Sequence, residues 1–133
     1  MNEEVRVAVC GAHMSGLPLN DQLLKLGARL VSKTTTSPCY RMYLLAGFEP
    51  PRPGMVRVNA GGASISLEVW ALPLPNYGAL VASIPAPLGI GRLELVDESW
   101  VQGYLCESYA LESAQDITVH GGWRQFLAAR SAP

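Results

Sequence analysis

The sequence predicts a mixed α+β fold, a small mixed β-barrel flanked by short helices. Short β-prone runs recur along the chain, and the links between them draw on 13 Gly and 10 Pro. Helical spacing of apolar residues is confined to a few brief segments. A count of about six or seven strands and two or three helices in a chain this short favours a curled or closed sheet, because closure hides strand edges. The 133 residues are expected to form one domain over 1–133, with no repeat, low-complexity stretch or internal linker.

Val5-Arg6-Val7-Ala8-Val9-Cys10 reads as the first strand, ending in Gly11-Ala12-His13. After the loop Met14-Ser15-Gly16-Leu17, the segment Pro18 to Leu26 reads as a helix. Pro18 suits its first turn, Asp21 its positive end and Gly27 its stop. Arg29 to Thr36 and Tyr40 to Leu45 are the next strands. Pro50, Pro51 and Pro53 make 47–54 a stiff surface loop. Met55–Asn59 and Ala63–Leu72 read as a hairpin turning at Gly61-Gly62, with Ile65, Leu67 and Val69 facing opposite to Ser64, Ser66, Glu68 and Trp70. Pro75-Asn76 opens a helix over Tyr77 to Ile84. Asp97-Glu98-Ser99 joins a second hairpin, and Trp123 to Arg130 closes the chain as a helix.

Hydrophobic residues make up 49% of the chain and charged ones 16%, enough to build a core. Ten Lys+Arg balance eleven Asp+Glu, and no basic run is present, so neither a nucleic acid nor a membrane is expected as a partner. No apolar stretch approaches the roughly 20 residues of a membrane helix. The acidic start Met-Asn-Glu-Glu is not that of a secretory signal. Cys10, Cys39 and Cys106 are odd in number and lack metal-ligand spacing. A cytoplasmic location with free thiols, and no metal or cofactor, is the expectation.

The unit with most chemical content is strand, Gly11-Ala12-His13-Met14-Ser15-Gly16, helix. Such a loop can aim backbone N–H groups at an anion, and His13 adds a group that titrates near neutrality. The same glycines also suit an ordinary turn. Arg41, between Tyr40 and Tyr43 in an apolar strand, requires a carboxylate partner from the protein or from a ligand, or else an outward-facing position. Glu68, Glu94 and Glu107 read as solvated-face residues or ion-pair partners, and His120 as a helix-start residue. No serine has a visible base partner, so no Ser-His-Asp triad is inferred.

These residues carry a resemblance to the C-terminal domain of allophanate hydrolase, the enzyme that finishes ATP-dependent urea breakdown. The matching stretches run from Val9 to Asn20, through Leu26-Gly27-Ala28-Arg29, Ser37 to Tyr43 and Leu67 to Pro73. They continue in Ile84-Pro85-Ala86-Pro87-Leu88-Gly89-Ile90-Gly91, Val101 to Glu107, Asp116-Ile117-Thr118 and Gly121 to Arg124. The resemblance implies a γ-glutamylcyclotransferase-like fold. In that wider group, the loop after the first strand holds the substrate, and a Glu after the mid-chain helix acts in the chemistry. Here Ala82 to Pro87 contains no acid, which argues against cyclotransferase chemistry.

In allophanate hydrolase the amidase domain cleaves allophanate, and the C-terminal domain is understood to promote decarboxylation of the N-carboxylated carbamate product. What the resemblance implies here is His13 as general acid, with Gly11, Ala12, Ser15, Gly16, Asn20, Tyr40 and Arg41 binding a small carboxylate-type substrate. The chain carries no amidase half, so it reads either as a separately encoded relative, with a separate amidase subunit as a protein partner, or as an excised domain. The rival readings are a cyclotransferase recruiting Glu68 or Glu107, and a non-catalytic accessory module of an amidase.

Overall fold

A computed structural model gives the structure of residues 3–131. The apolar run near the N-terminus becomes β1 (Glu4–Val9), the middle strand of the larger sheet. It pairs antiparallel with β5 (Ser66–Pro73) and parallel with β7 (Trp100–Cys106). Outside these lie β2 (Arg29–Thr35), antiparallel to β5, and β6 (Leu88–Glu94), which forms the expected hairpin with β7. The order is therefore β2-β5-β1-β7-β6. The outer strands then meet at one end. Thr36 bridges Leu95, Val96 N–H donates to Thr35 O at 3.0 Å, and Ser37 N–H donates to Glu94 O at 2.9 Å.

The α+β class holds, with the barrel as a rolled sheet whose edges touch rather than an uninterrupted ring. Three further strands form a separate sheet in the order β4-β3-β8, made of β3 (Tyr40–Leu44), β4 (Pro53–Arg57) and β8 (Gln115–Asp116). This corrects the hairpin expected between Met55–Asn59 and Ala63–Leu72. β4 pairs with β3, and the segment after it wraps back along β3. Val58 N–H reaches Cys39 O at 2.8 Å, and Ala63 N–H reaches Tyr40 O at 2.8 Å. Gly62 lies so close to Cys39 that a Cβ there would sit 2.7 Å from its carbonyl carbon. The two glycines thus serve a close crossing, not a turn between paired strands.

The helices are α1 (Asn20–Lys25), α2 (Leu74–Ala82) and α3 (Trp123–Ser131). α1 is shorter than predicted, but Gly27 ends it with φ +80° as expected. Its Leu23 is fully buried and, like Leu80 of α2, joins Val7 and Leu72 in the core. Burying one such leucine stabilises the fold by about 2 kcal/mol. β5 departs from simple alternation, because Leu67 to Leu72 are all buried. A strand flanked by β2 and β1 and covered on both faces has no wet side. Its one charged residue, Glu68, is therefore enclosed.

Gly103 sits where β7 crosses β1, and a Cβ there would lie 2.7 Å from Leu93 Cδ1 and 2.9 Å from Ala8 O. Gly103→Ala should lower stability by about 1–3 kcal/mol through overpacking, read as an earlier urea midpoint. An unchanged midpoint would show slack in this seam.

Candidate active site at the end of the first strand

β1 delivers the chain into a folded-back loop, Cys10 to Leu19, before α1 begins. Much of this loop is satisfied internally. Met14 N–H donates to Gly11 O at 3.0 Å, Leu17 N–H to Met14 O at 3.0 Å, and Leu19 N–H to Ala12 O at 2.8 Å. Ser15 is claimed by a protein carboxylate, since its N–H and its hydroxyl donate to Glu68 at 2.8 and 3.0 Å. Trp70 Nε1 and Arg124 Nη2 also donate to Glu68, each at 3.0 Å. Burial alone would raise the Glu68 pKa, but these donors outweigh it and hold the carboxyl below its ordinary range. Asn20 Nδ2 donates to His13 O at 2.9 Å and ties the loop to the first turn of α1.

Among the described residues, the amides of Gly11, Ala12 and His13 have no acceptor. They border a small cavity lined by Val9 to His13, Arg52, Pro53, Leu88 and Tyr104. Its volume is about 20 Å³, room for about one water. Gly11 lies against Pro53 so closely that a Cβ would meet Pro53 Cδ at 2.5 Å. The glycine is thus required by the packing of loop on β4.

His13 is 4% exposed, with Nε2 2.5 Å from Gln22 Oε1 and its ring centroid 5.1 Å from that of Tyr104. Burial pushes the imidazole pKa below its ordinary 6.5, a shift the Gln22 hydrogen bond opposes and the nearby Arg52 charge reinforces. The Tyr104 hydroxyl is buried without a hydrogen-bond partner, and burial raises its pKa. Burial likewise pushes the Cys10 thiol up to about 12, so it is a neutral wall residue. Arg52 is half-buried and forms no salt bridge among the described residues. Its guanidinium lies 5.6 Å from the Phe48 ring centroid. Burial lowers the Arg52 pKa, yet a guanidinium remains charged. The cavity therefore combines a cation without a counter-charge, unused amides, an orphan hydroxyl and an imidazole. That combination attracts an anion.

Of the residues singled out in the sequence, Gly11, Ala12 and His13 come together here. Ser15 is turned toward Glu68, Gly16 makes an exposed turn at φ +76°, and Asn20 braces the loop. Arg41 and Tyr40 do not line this cavity. Arg41 donates to Asp116 Oδ2 at 3.0 and 2.6 Å and to the Gly61 carbonyl, so the carboxylate it requires is the protein's own. Tyr40 is fully buried, and its hydroxyl accepts Glu94 N–H at 2.9 Å. The guanidinium at the cavity is Arg52. Its neighbours Pro51 and Pro53 marked a surface loop and concealed that the loop folds over the site. Tyr104 offered no distinguishing signal within an apolar strand.

The sequence profile of the allophanate hydrolase C-terminal domain matches residues 5–128. The chain belongs to this family. As an allophanate hydrolase C-terminal domain, it is 39% identical over 127 residues to the urea amidolyase of Saccharomyces cerevisiae, a match covering 92% of this chain and 7% of that protein. The allophanate hydrolase of Kluyveromyces lactis superposes with a TM-score of 0.93 at 39% identity, over 97% of this chain and 22% of that one. The domain thus spans a small fraction of these larger relatives. A protein described as specific to uropathogenic E. coli matches with a TM-score of 0.88 at 38% identity, over 95% of this chain and 97% of its own. An AIG2-like protein of mouse shares the fold, with a TM-score of 0.66 at 16% identity. At that identity the likeness is one of fold alone, and it agrees with the fold expected from the sequence. No helix among the described residues is long and apolar enough to cross a membrane.

Removing Glu68 should loosen this loop. Glu68→Ala leaves the Ser15 amide and Trp70 Nε1 without an acceptor, an expected loss of about 3 kcal/mol at pH 7 in chemical denaturation. Because the folded pKa lies below the ordinary 4.5, the wild-type contribution is present above that pH and fades as pH falls through the folded value. The variant's deficit should shrink correspondingly in acid. A deficit that is constant with pH would contradict this assignment.

Proposed function

We propose that this domain binds an N-carboxylated carbamate, the dianion left when an amidase removes ammonia from allophanate, and promotes its loss of CO₂. Three kinds of support bear on the reading: the family, a cavity lining that holds Arg52 and no carboxylate, and an imidazole within it. The observation that carries most weight is the half-buried Arg52 with no carboxylate of its own, next to His13 and the unused amides of Gly11 to His13. One carboxylate would sit on these amides and the other on Arg52, whose planar fork suits two oxygens at once.

The C–N bond to the departing carboxylate breaks with its electron pair remaining on nitrogen. That nitrogen takes a proton from His13, leaving carbamate and CO₂. His13 is neutral at rest, and the incoming negative charge favours its protonated form. A dianion is larger than one water, so it enters when the Arg52 side chain swings outward. The partner expected is an amidase, which supplies the substrate.

Cyclotransferase chemistry finds no support in the cavity, where no carboxylate is among the lining residues. Glu68 is occupied by four donated hydrogen bonds, and Glu107 is exposed.

The test is to generate the dianion from carbon-13 allophanate with an amidase and follow CO₂ release by NMR. His13→Ala should lower the catalysed rate by about 10²-fold or more. Arg52→Met should lower kcat/KM about tenfold or more. As the protonated ring is the competent acid, kcat/KM should fall with rising pH across a pKa below 6.5. Full activity in His13→Ala, with stable capture of the amidase, would replace this reading with the accessory role.

A further inference from the structure

The loop and α1 place one further polar side chain against the imidazole. Gln22, on the first turns of α1, presents Oε1 2.5 Å from His13 Nε2. An amide oxygen only accepts, so with Oε1 as the atom facing the ring the contact is a hydrogen bond when Nε2 carries the proton. Among the described residues, His13 Nδ1 has no protein partner. Which ring nitrogen carries the resting proton is set by the hydrogen bond the other atom makes.

We propose that Gln22 is a positioning residue: it holds His13 as the Nε2–H tautomer and leaves Nδ1 as the nitrogen that exchanges a proton with the substrate. This rests on the decarboxylation reading only for the identity of the proton's acceptor. In that reaction the ring first takes a solvent proton on Nδ1, while Nε2–H stays with Gln22. Nδ1 then gives its proton to the nitrogen released by C–N cleavage, and the ring returns to its starting tautomer. Each turnover consumes one proton and restores the catalyst.

A neutral amide suits this task better than a carboxylate would. Gln22 orients the ring without supplying a charge that would hold it permanently as imidazolium. The other groups facing His13 are the Arg52 guanidinium from the 45–52 loop, the Tyr104 hydroxyl from β7 and the Cys10 thiol at the end of β1. The first opposes protonation and the other two are neutral, leaving Gln22 as the one side chain here that favours it.

Long-range nitrogen-15 to proton spectra of the imidazole, recorded through a pH titration, test this without any activity. The wild type should show the Nε2–H tautomer. Gln22→Met should mix the tautomers and lower the His13 pKa. Gln22→Glu should raise that pKa by about one unit or more. With the amidase-generated substrate, Gln22→Met should reduce kcat on the order of 10- to 100-fold with KM little changed. In Gln22→Glu the alkaline limb should move upward in step with the pKa. A wild-type Nδ1–H tautomer, or a Gln22→Met protein with unaltered tautomer and rate, would overturn the proposal. If the wild type does not release CO₂ at all, the decarboxylation reading fails, and the spectra still decide what Gln22 does.

Discussion

A carboxylate sealed inside a sheet is expensive unless donors surround it, and Glu68 is surrounded. The Ser15 amide and hydroxyl, the Trp70 indole and the Arg124 guanidinium all converge on its two oxygens. These groups come from the first loop, β5 and α3, distant in sequence and joined at one point. The fixed loop in turn leaves the amides of Gly11 to His13, residues that line the cavity, without an acceptor among the described residues. Glu68 thus acts as the internal anion that consumes some loop donors, so that a defined remainder is available for an external one.

The cavity behaves differently from its surroundings because its charge is uncompensated. Elsewhere the cations are either paired, Arg41 with Asp116, Arg57 with Glu94, Arg29 with Glu4, Lys25 with Asp21 and Arg124 with Glu68, or exposed to solvent, as are Arg6, Lys33, Arg92 and Arg130. Arg52 has only an aromatic ring beside it. Holding a guanidinium half-buried without a counter-ion costs stability, and a bound anion relieves that cost. His13, kept neutral by burial and by Arg52, becomes a better proton carrier when negative charge arrives. Binding and proton supply are therefore coupled through the same electrostatic field.

Most of the fold was legible. β1, β2, β3, the β6–β7 hairpin and α3 all lie close to where the residue pattern put them, because their limits are set by local turn chemistry. The hairpin expected between Met55–Asn59 and Ala63–Leu72 did not form, because Gly61 and Gly62 carry the same signature whether a chain turns back or crosses a neighbour closely. Glu68 is an ion-pair partner, of Arg124, rather than a solvated-face residue, since period-2 reasoning assumes one wet face and β5 has none. The nearly unbroken apolar run Val69-Trp70-Ala71-Leu72 was the available sign of double burial. At the site, His13 and its glycine were visible, whereas the arginine was not. Arg41 lay in an apolar strand and drew attention, but its partner Asp116 is 75 residues away in sequence. No local pattern reveals such a pair, nor that a proline-rich loop returns over the first strand.

Malonate, a compact dianion that stays intact at this temperature, offers the most direct examination of the central claim. Its affinity would be measured by calorimetry for the wild type, Arg52→Met and Arg41→Met, with a structure of the complex. The account predicts malonate against the Gly11–His13 amides and Arg52, a loss of about tenfold or more in Arg52→Met, and little change in Arg41→Met. Equal binding by the wild type and Arg52→Met, or binding that depends on Arg41 instead, would contradict it.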